Sequence, residues 1–552
     1  MATLTSSTAS RHPQHSEAAL TDVKYQRRWW TLAVLSLSLM IIGLDNTILN
    51  VAIPTLQAEF SASSSQLQWM VDSYIVVFAG LLLTLGAAGD RFGRAKALQA
   101  GLLLFGLSSF WAAYAGSTSQ LIAARAVMGI GGALIMPATL SILSDVFPRE
   151  ERGKAIAIWS AVAGAGIGLG PLFGGLLLDH FWWGSVFLVN VPVVVAALVM
   201  GKWLVPDSRD AHAPGLDIPG ALLSISAISV LVYAIIEAPG HGWLASFTLL
   251  SFAAALVLGG AFFWWELRSD QPMLDMAFFR NRRFSLGAGA IGLTFFALFG
   301  SIFALTQYLQ IVRGYSALEA GVRLIPLALG VMIGAGNSSR LVARVGTTRV
   351  VAAGMVIVTG GLASITFWEI NTPYWIIGGA IFVLAVGMGS VMAPATEAVM
   401  GAVPEAKAGV GSAMNDVVRQ VAGAFGIAIV GSILNTVYSN KMESATTALP
   451  QPAADHSRDS VGGALGVASQ LGGPTGDALA SAGRLSFIDA MGVATLVAAG
   501  VALIGAGLVA RFLPNRHEEH ALAPEVDQST SDTADLSLTL ASASSSEARA
   551  TT

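Results

Sequence analysis

The sequence predicts an all-α integral membrane protein, two six-helix bundles with two extra helices between them, fourteen transmembrane helices in all. Three observations lead there. The 552-residue chain is 54% hydrophobic and only 12% charged, against roughly 25% charge in soluble domains, and its mean hydropathy is +0.66. A soluble chain of this length divides into domains that each need a charged exterior, and the residues for those exteriors are missing. Fourteen stretches are long and apolar enough to cross a bilayer. Finally, Lys and Arg alternate from side to side in step with those stretches.

A spanning helix needs about 20 apolar residues, because backbone groups left unpaired in hydrocarbon are costly. The qualifying stretches run over 29–51, 67–88, 97–115, 119–144, 155–178, 184–205, 216–237, 244–265, 284–310, 317–340, 349–368, 374–400, 410–436 and 487–512. Trp29 and Trp30, directly after Arg27 and Arg28, suit an interfacial anchor. The connection from Gly116 to Thr118 is so short that its flanking helices must be antiparallel neighbours. With a cytosolic N-terminus, 23 of the 30 basic residues fall inside, four outside and three within spans. That asymmetry obeys the positive-inside rule and supports both the count and an orientation with both termini cytosolic; the membrane expected is the plasma membrane. Residues 1–28 are polar with no apolar stretch of their own, so they read as a cytosolic tail and not a cleaved signal. Residues 437–486 read as a long outer loop, in which Val461, Ala464, Leu465, Ala468 and Leu471 are spaced for a short amphipathic helix on the membrane surface. The tail over 514–552 has the Ser/Ala/Thr-rich, acidic composition of disorder.

Several function classes are excluded. A net charge of −4 does not point to nucleic acid. There is no cysteine, and the eight histidines form no metal-ligand spacing. No phosphate-binding G-x-x-x-x-G-K-[ST] run occurs, so no ATP-driven pump resides in this chain, and no cofactor is expected. A membrane enzyme would need a nucleophile with a base, or metal ligands, within the spans. A sensor or scaffold would need a substantial soluble domain. The sequence supplies neither.

An internal repeat is visible. Arg91-Phe-Gly93-Arg-Ala-Lys96 aligns with Arg344-Val-Gly346-Thr-Thr-Arg349, and Pro137-Ala-Thr139 with Pro394-Ala-Thr396; a Pro-x-x-x-x-Gly loop follows each of the latter, Pro148 to Gly153 and Pro404 to Gly409. Spans 2–5 thus correspond to spans 10–13. The organisation expected is a six-helix bundle over 29–206, two linker spans and a loop over 207–283, and a second bundle over 284–513.

Four motifs resemble the major facilitator superfamily, in particular its fourteen-span drug:proton antiporters of the quaternary-ammonium exporter type. The loop after span 2, Gly86-Ala-Ala-Gly-Asp90-Arg91-Phe-Gly93-Arg94-Ala-Lys96, is similar to that family's G-x-L-a-D-r-x-G-r-k loop, with Ala88 where Leu is usual. Arg125-Ala-Val-Met-Gly129 in span 4 resembles R-x-x-q-G, with Met128 for the common Gln. Gly166-Ile-Gly-Leu-Gly170-Pro171-Leu-Phe-Gly174-Gly175 in span 5 matches the antiporter pattern G-x-x-x-G-P-x-x-G-G. Leu44-Asp45-Asn-Thr47-Ile-Leu-Asn50-Val-Ala-Ile-Pro54 closes span 1 as in the fourteen-span branch. The resemblance covers nearly everything from Trp29 to Leu513. It implies proton-driven export of small amphipathic drugs or antibiotics, with the small molecule, protons and the bilayer as partners and a monomeric carrier. Export of one natural product by its producer fits the same motifs.

Within that reading the Asp90 loop is a conformational latch, and the Gly166, Gly170, Gly174 and Gly175 face with Pro171 is a seal and hinge between the halves. Charges inside the spans are the sharpest candidates, because each costs at least ~2.5–3.5 kcal/mol on insertion scales. Counting ~1.5 Å per residue, Asp45, Asp72 and Arg125 share a common depth near the outer surface and form a candidate proton-coupling site. Asp45 matches the family's span 1 Asp, and Asp72 an Asp seen in the quaternary-ammonium branch. Nearer the cytosol stand Glu397 and Asp416. Asn415 and Asp416 occupy positions where exporters of cationic drugs can carry two acids, and Arg419 is spaced to neutralise Asp416. Arg323, in span 10, is expected to be paired or to snorkel.

Overall fold

A computed structural model describes residues 26–209, 216–269, 272, 276–403 and 408–514; both tails, read above as cytosolic and as disordered, lie outside them. The described residues are helical, with no strand among them. The long helices are α1 (Arg28–Phe60), α2 (Ser64–Phe92), α3 (Arg94–Ala113), α4 (Thr118–Val146), α5 (Arg149–His180), α6 (Ser185–Leu204) and α7 (Ile218–His241). They continue with α8 (Ser246–Glu266), α9 (Arg282–Val312), α10 (Ala317–Val345), α11 (Thr347–Phe367), α12 (Tyr374–Gly401) and α13 (Ala408–Thr446). Two short helices, α14 (Gln451–Asp459) and α15 (Val461–Leu471), precede α16 (Gly473–Phe512). Twelve of these are long and apolar enough to cross a membrane: α1, α2, α4, α6 to α13, and α16. Helices α3 and α5, of 20 and 32 residues, lie in the same bundle but are not among the twelve.

Local chemistry sets the helix ends. Ser63 with Gln66, and Ser316 with Glu319, form capping boxes that start α2 and α10 by satisfying otherwise orphaned backbone N–H groups. Between α2 and α3 the chain reverses at Gly93, whose φ of +125° suits only a residue without a Cβ. Thr31 Oγ1 at the start of α1 donates to the Leu204 carbonyl at the end of α6, and Thr348 Oγ1 at the start of α11 to the Leu513 carbonyl after α16, both at 2.8 Å. The face holding Arg28 and Leu513 is the terminal face below, and the opposite one the distal face.

The repeat is visible in the packing. Helix α1 lies on α5 as α9 lies on α13, α2 on α4 as α10 on α12, and α3 on α4 as α11 on α12. Helix α7 bridges the two sets. Its Ile225 packs on Gly80 of α2, Tyr233 lies against Trp69 of α2, and its Ile235 carbonyl accepts a 2.7 Å bond from Ser432 Oγ of α13. Helix α8 packs on α7 and is otherwise widely exposed, as a lipid-facing helix would be.

The outer loop expected over 437–486 is shorter than its composition indicates. Helix α13 runs on to Thr446 and α16 starts at Gly473, leaving α14 and α15 between them. The expected amphipathic helix forms over Val461–Leu471, with its apolar face turned to the protein. Val461, Ala464 and Ala468 are buried against α16 and the end of α1, because that surface offers an apolar seat which water or headgroups would not.

The two repeat halves meet at the distal face. Gly175 of α5 sits on the backbone of Leu318, and Gly321 on the carbonyl of Pro171, so no Cβ fits at either place. Gln310 Nε2 donates to the Val51 carbonyl at 2.8 Å, and Ser316 Oγ to Asp179 at 2.9 Å. Asp459 accepts from the Ser64 backbone N–H at 3.1 Å while its own carbonyl accepts from Ser64 Oγ at 2.6 Å, fastening α14 to the first turn of α2. Burial raises the proton affinity of Asp459, and the Ser64 N–H acts against that rise. Gly321→Val should hold this seam apart. In a chain without cysteine, a Gln68→Cys reporter should then react faster with an impermeant maleimide than it does beside Gly321. Equal rates would show that the seam does not depend on this approach.

Candidate functional site: buried charges at the seam

Asp45, on α1, and Arg125, on α4, are brought together at the heart of the first half. Their side chains are 0% and 1% exposed, and Arg125 Nη1 donates to Asp45 Oδ2. Arg125 Nε donates to the Met70 carbonyl of α2 at 3.1 Å, and the guanidinium lies 4.5 Å from the ring centroid of Tyr74. Asn190 Nδ2, on α6, reaches Asp45 Oδ1 at 3.2 Å and Ser109 Oγ of α3 at the same distance; Ser109 Oγ donates to the Phe187 carbonyl. The pair is thus held by groups from five helices. Asn190, Ser109 and Tyr74 did not stand out in the sequence, although an amide followed by Pro192 inside an apolar run was a readable signal.

Asp72 lies close to this pair but does not join it. It is fully buried, and neither carboxyl oxygen has a hydrogen-bond partner among the described residues. On α2, Tyr74 and Phe78 face α4, where Gly129 and Gly132 leave room for them. Gln68 faces the other way, so close to Gly431 of α13 that a Cβ there would stand 2.7 Å from its side chain. Asp72, one helical turn from Gln68, shares that side. It therefore sits on the face of α2 that meets the second half of the molecule.

A third group lies in the second half. Arg419 Nη1 is 3.4 Å from Asp416 Oδ1 on α13, Arg419 Nη2 donates to Thr396 Oγ1 of α12 at 3.2 Å, and the guanidinium is 5.4 Å from the ring centroid of Phe295 on α9. Both side chains are partly exposed, 26% for Arg419 and 14% for Asp416. Asn415 is buried and Glu397 exposed. Arg323 is not buried alone; it lies 3.9 Å from Glu319 and over the rings of Tyr315 and Tyr374.

The motif residues take definite places. Asp90 pairs with Arg94 of its own loop at 2.6 Å, while Arg94 N donates to the Ser208 carbonyl and Lys96 stands 4.0 Å from Asp207. Gly86 packs on Pro137 of α4, and Arg91 lies over Phe92. The loop thus contacts the first half and the start of the linker, and Asp90 is paired with Arg94. Gly166, Gly170 and Gly174 lie against Met40, Thr47 and Ile48 of α1, which lets α1 and α5 approach backbone to backbone. Gly175 and Pro171 instead face the second half, as described above. Among the described residues no cluster of His, Asp and Glu could hold a metal ion.

An ion pair sealed inside the first half of a many-helix bundle, and a lone acid on the face of α2 that meets the second half, are features of a membrane transporter built from two repeated halves. The Major Facilitator Superfamily profile matches residues 35–427. The chain is 34% identical to the multidrug efflux pump LfrA of Mycolicibacterium smegmatis, over 88% of this chain and 96% of that one. It is 33% identical to the tetracenomycin C resistance and export protein of Streptomyces glaucescens, over 90% and 94% of the two chains. It is 35% identical to the methyl viologen resistance protein SmvA of Salmonella typhimurium, over 87% and 97%. In fold it is similar to a crystallised bacterial homolog of the human lysosomal transporter Spinster, inward-facing and unoccupied, with a TM-score of 0.63, 18% identity and coverage of 89% and 99%. The chain belongs to the Major Facilitator Superfamily, and it is a multi-pass membrane transporter.

Removing one partner of a buried ion pair strands the other charge, which costs about 3–5 kcal/mol. Arg125→Leu alone should therefore lower the melting temperature of the detergent-purified protein sharply. Adding Asp45→Asn should restore most of that loss, since an amide carries no charge to strand. A double variant no more stable than Arg125→Leu would show that the pair is not what holds α1, α4 and α6 together.

Proposed function

We propose that this protein exports small amphipathic drugs or antibiotics across the plasma membrane in exchange for protons, as a monomer without a bound cofactor. The multidrug and antibiotic-export relatives, similar over nearly their full lengths, support the substrate class. In this reading α3 and α5 also cross the bilayer, making fourteen spans of the quaternary-ammonium exporter type. Both termini are cytosolic and the distal face is external. The distribution of Lys and Arg supports that orientation, and the alternation of helix directions from α1 to α16 is consistent with it. Fusions of alkaline phosphatase after Tyr114 and of a fluorescent protein after Asp207 check the count. Activity at the first site and fluorescence at the second are expected; the reverse would remove α3 from the membrane.

The observation that carries the coupling is Asp72. A carboxylate buried without a partner costs several kcal/mol, whereas the neutral acid costs far less. The external seam can therefore close over an empty carrier only when Asp72 holds a proton. A substrate seated between the halves supplies an alternative route to closure. Exchange follows: the carrier returns from outside with either a proton or cargo, and a proton taken up outside is released inside when the cytosolic side opens. Asp45 is the fixed charge of this scheme. Its neutralisation by Arg125 keeps the first half rigid while α2 and α5 move against α13 and α10. The Asp90 loop is the latch at the cytosolic face, engaging the neighbouring half when that face closes.

Asp72→Asn mimics the permanently protonated group. In everted vesicles it should abolish drug transport driven by a proton gradient while leaving membrane insertion intact. Transport that survives in this variant and still collapses with an uncoupler would remove Asp72 from the coupling step. A narrower reading, export of a single natural product, is favoured by the similarity to the tetracenomycin C protein. Resistance to many unrelated compounds on expression supports the broad reading, and resistance to one supports the narrow reading.

A further inference from the structure

Among the described residues, two Asp–Arg pairs lie away from the helix ends, and they are built differently. In the first, Arg125 is sealed, bonded to Asp45 and to the Met70 carbonyl, and stacked on Tyr74. In the second, Arg419 reaches Asp416 only at 3.4 Å, where a strong charge-assisted bond measures ~2.7–2.9 Å. Its Nε has no partner among the described residues, and a quarter of its side chain is exposed. The first pair is structural. The second is loose enough to be exchanged.

What surrounds Arg419 is a recognition set for organic cations. Phe295 offers an aromatic face, Asp416 a carboxylate and Thr396 a hydroxyl, contributed by α9, α13 and α12. Aromatic faces attract delocalised cations, most strongly where water is excluded. The guanidinium is itself a flat delocalised monocation.

We propose that Arg419 is a built-in stand-in for the substrate: it occupies the Phe295–Asp416 seat when the carrier is empty, and planar organic monocations bind by displacing it. This rests on the drug-export reading and names the substrate class of one subsite within it. The displaced Arg419 stays tethered beside the seat, so every cation competes with a local positive charge. A dication, meeting that charge with two of its own, is penalised more than a monocation. Arg419 thus sets selectivity by charge number, and its loss widens the cation range.

Ethidium, a monocation with a planar ring system, and dequalinium, a dication with two planar quinolinium heads on a flexible alkyl chain, test this by fluorescence and calorimetric titration of the purified full-length protein. Arg419→Gln should tighten ethidium binding by about three- to thirtyfold, the range a cation–π contact released from competition supports, and should tighten dequalinium more. Phe295→Leu and Asp416→Asn should each weaken ethidium binding. Should Arg419→Gln fail to give a monodisperse protein, Arg419→Lys retains the charge without the planar stack and should show a smaller gain in the same direction. Ethidium binding that is unchanged or weaker in these Arg419 variants overturns the proposal, and so does an equal gain for both cations. A wild-type protein that exports other toxic compounds and binds neither cation overturns it alone. A wild-type protein that binds neither and confers no resistance to anything overturns the drug-export reading as well.

Discussion

A charge carried into hydrocarbon must be cancelled by a partner or by a proton, and this protein places a paired acid and an unpartnered one within about a helical turn of each other. Arg125 lies between Asp45, the Met70 carbonyl and the ring of Tyr74, with Asn190 completing the carboxylate. Two residues beyond Met70, Asp72 is equally buried and has no partner. Since replacing a paired charge is costly and protonating a lone one is cheap, the proposed cycle uses the first site to fix structure and the second to respond to its surroundings. A looser pair, Asp416 with Arg419, stands in the other half, partly exposed.

The scaffold around these groups explains why the lone acid stays buried. The halves touch at the distal face through contacts that leave no room for side chains, at Gly175 on Leu318 and Gly321 on Pro171. Helix α14 adds a polar fastening from Asp459 to the start of α2. Helix α7, one of the two inserted between the halves, lies across α2 and α13 and covers the flank on which Asp72 sits. Interfaces built from backbone contact do not deform gradually, so such a seam is either shut or parted. In the proposed cycle, a rigid closure over a titratable group makes its proton occupancy a condition for closing.

Much of this architecture was legible in the chain, because lipid imposes a simple rule on sequence. Twelve of the fourteen expected spans, and their order, followed from apolar length, while α3 and α5 are helical but not among the twelve; the helix pairs recur in both halves as the paired motifs require. The approach of Asp45 to Arg125 was anticipated from depth alone. That Asp72 stands apart was not, since the side of α2 it occupies is set by where glycines on α4 and α13 admit neighbours. Asn190 escaped notice because an amide in an apolar run has no fixed partner until tertiary packing supplies one. The segment over 437–486 was misjudged because Ala and Gly serve equally in loops and in helices that pack tightly on others.

The central claim, that external closure over an empty carrier requires a proton on Asp72, is tested most directly by distance. Spin labels at Ser65→Cys and Gln451→Cys, across the distal seam, report its opening by electron–electron double resonance in substrate-free protein. Asp459 is a second acid at that seam, so Asp459→Asn is included throughout. The account predicts that the short-distance population grows as pH falls, and that with Asp72→Asn it dominates at every pH. A separation indifferent to pH, or one that responds equally with Asp72→Asn, would contradict it.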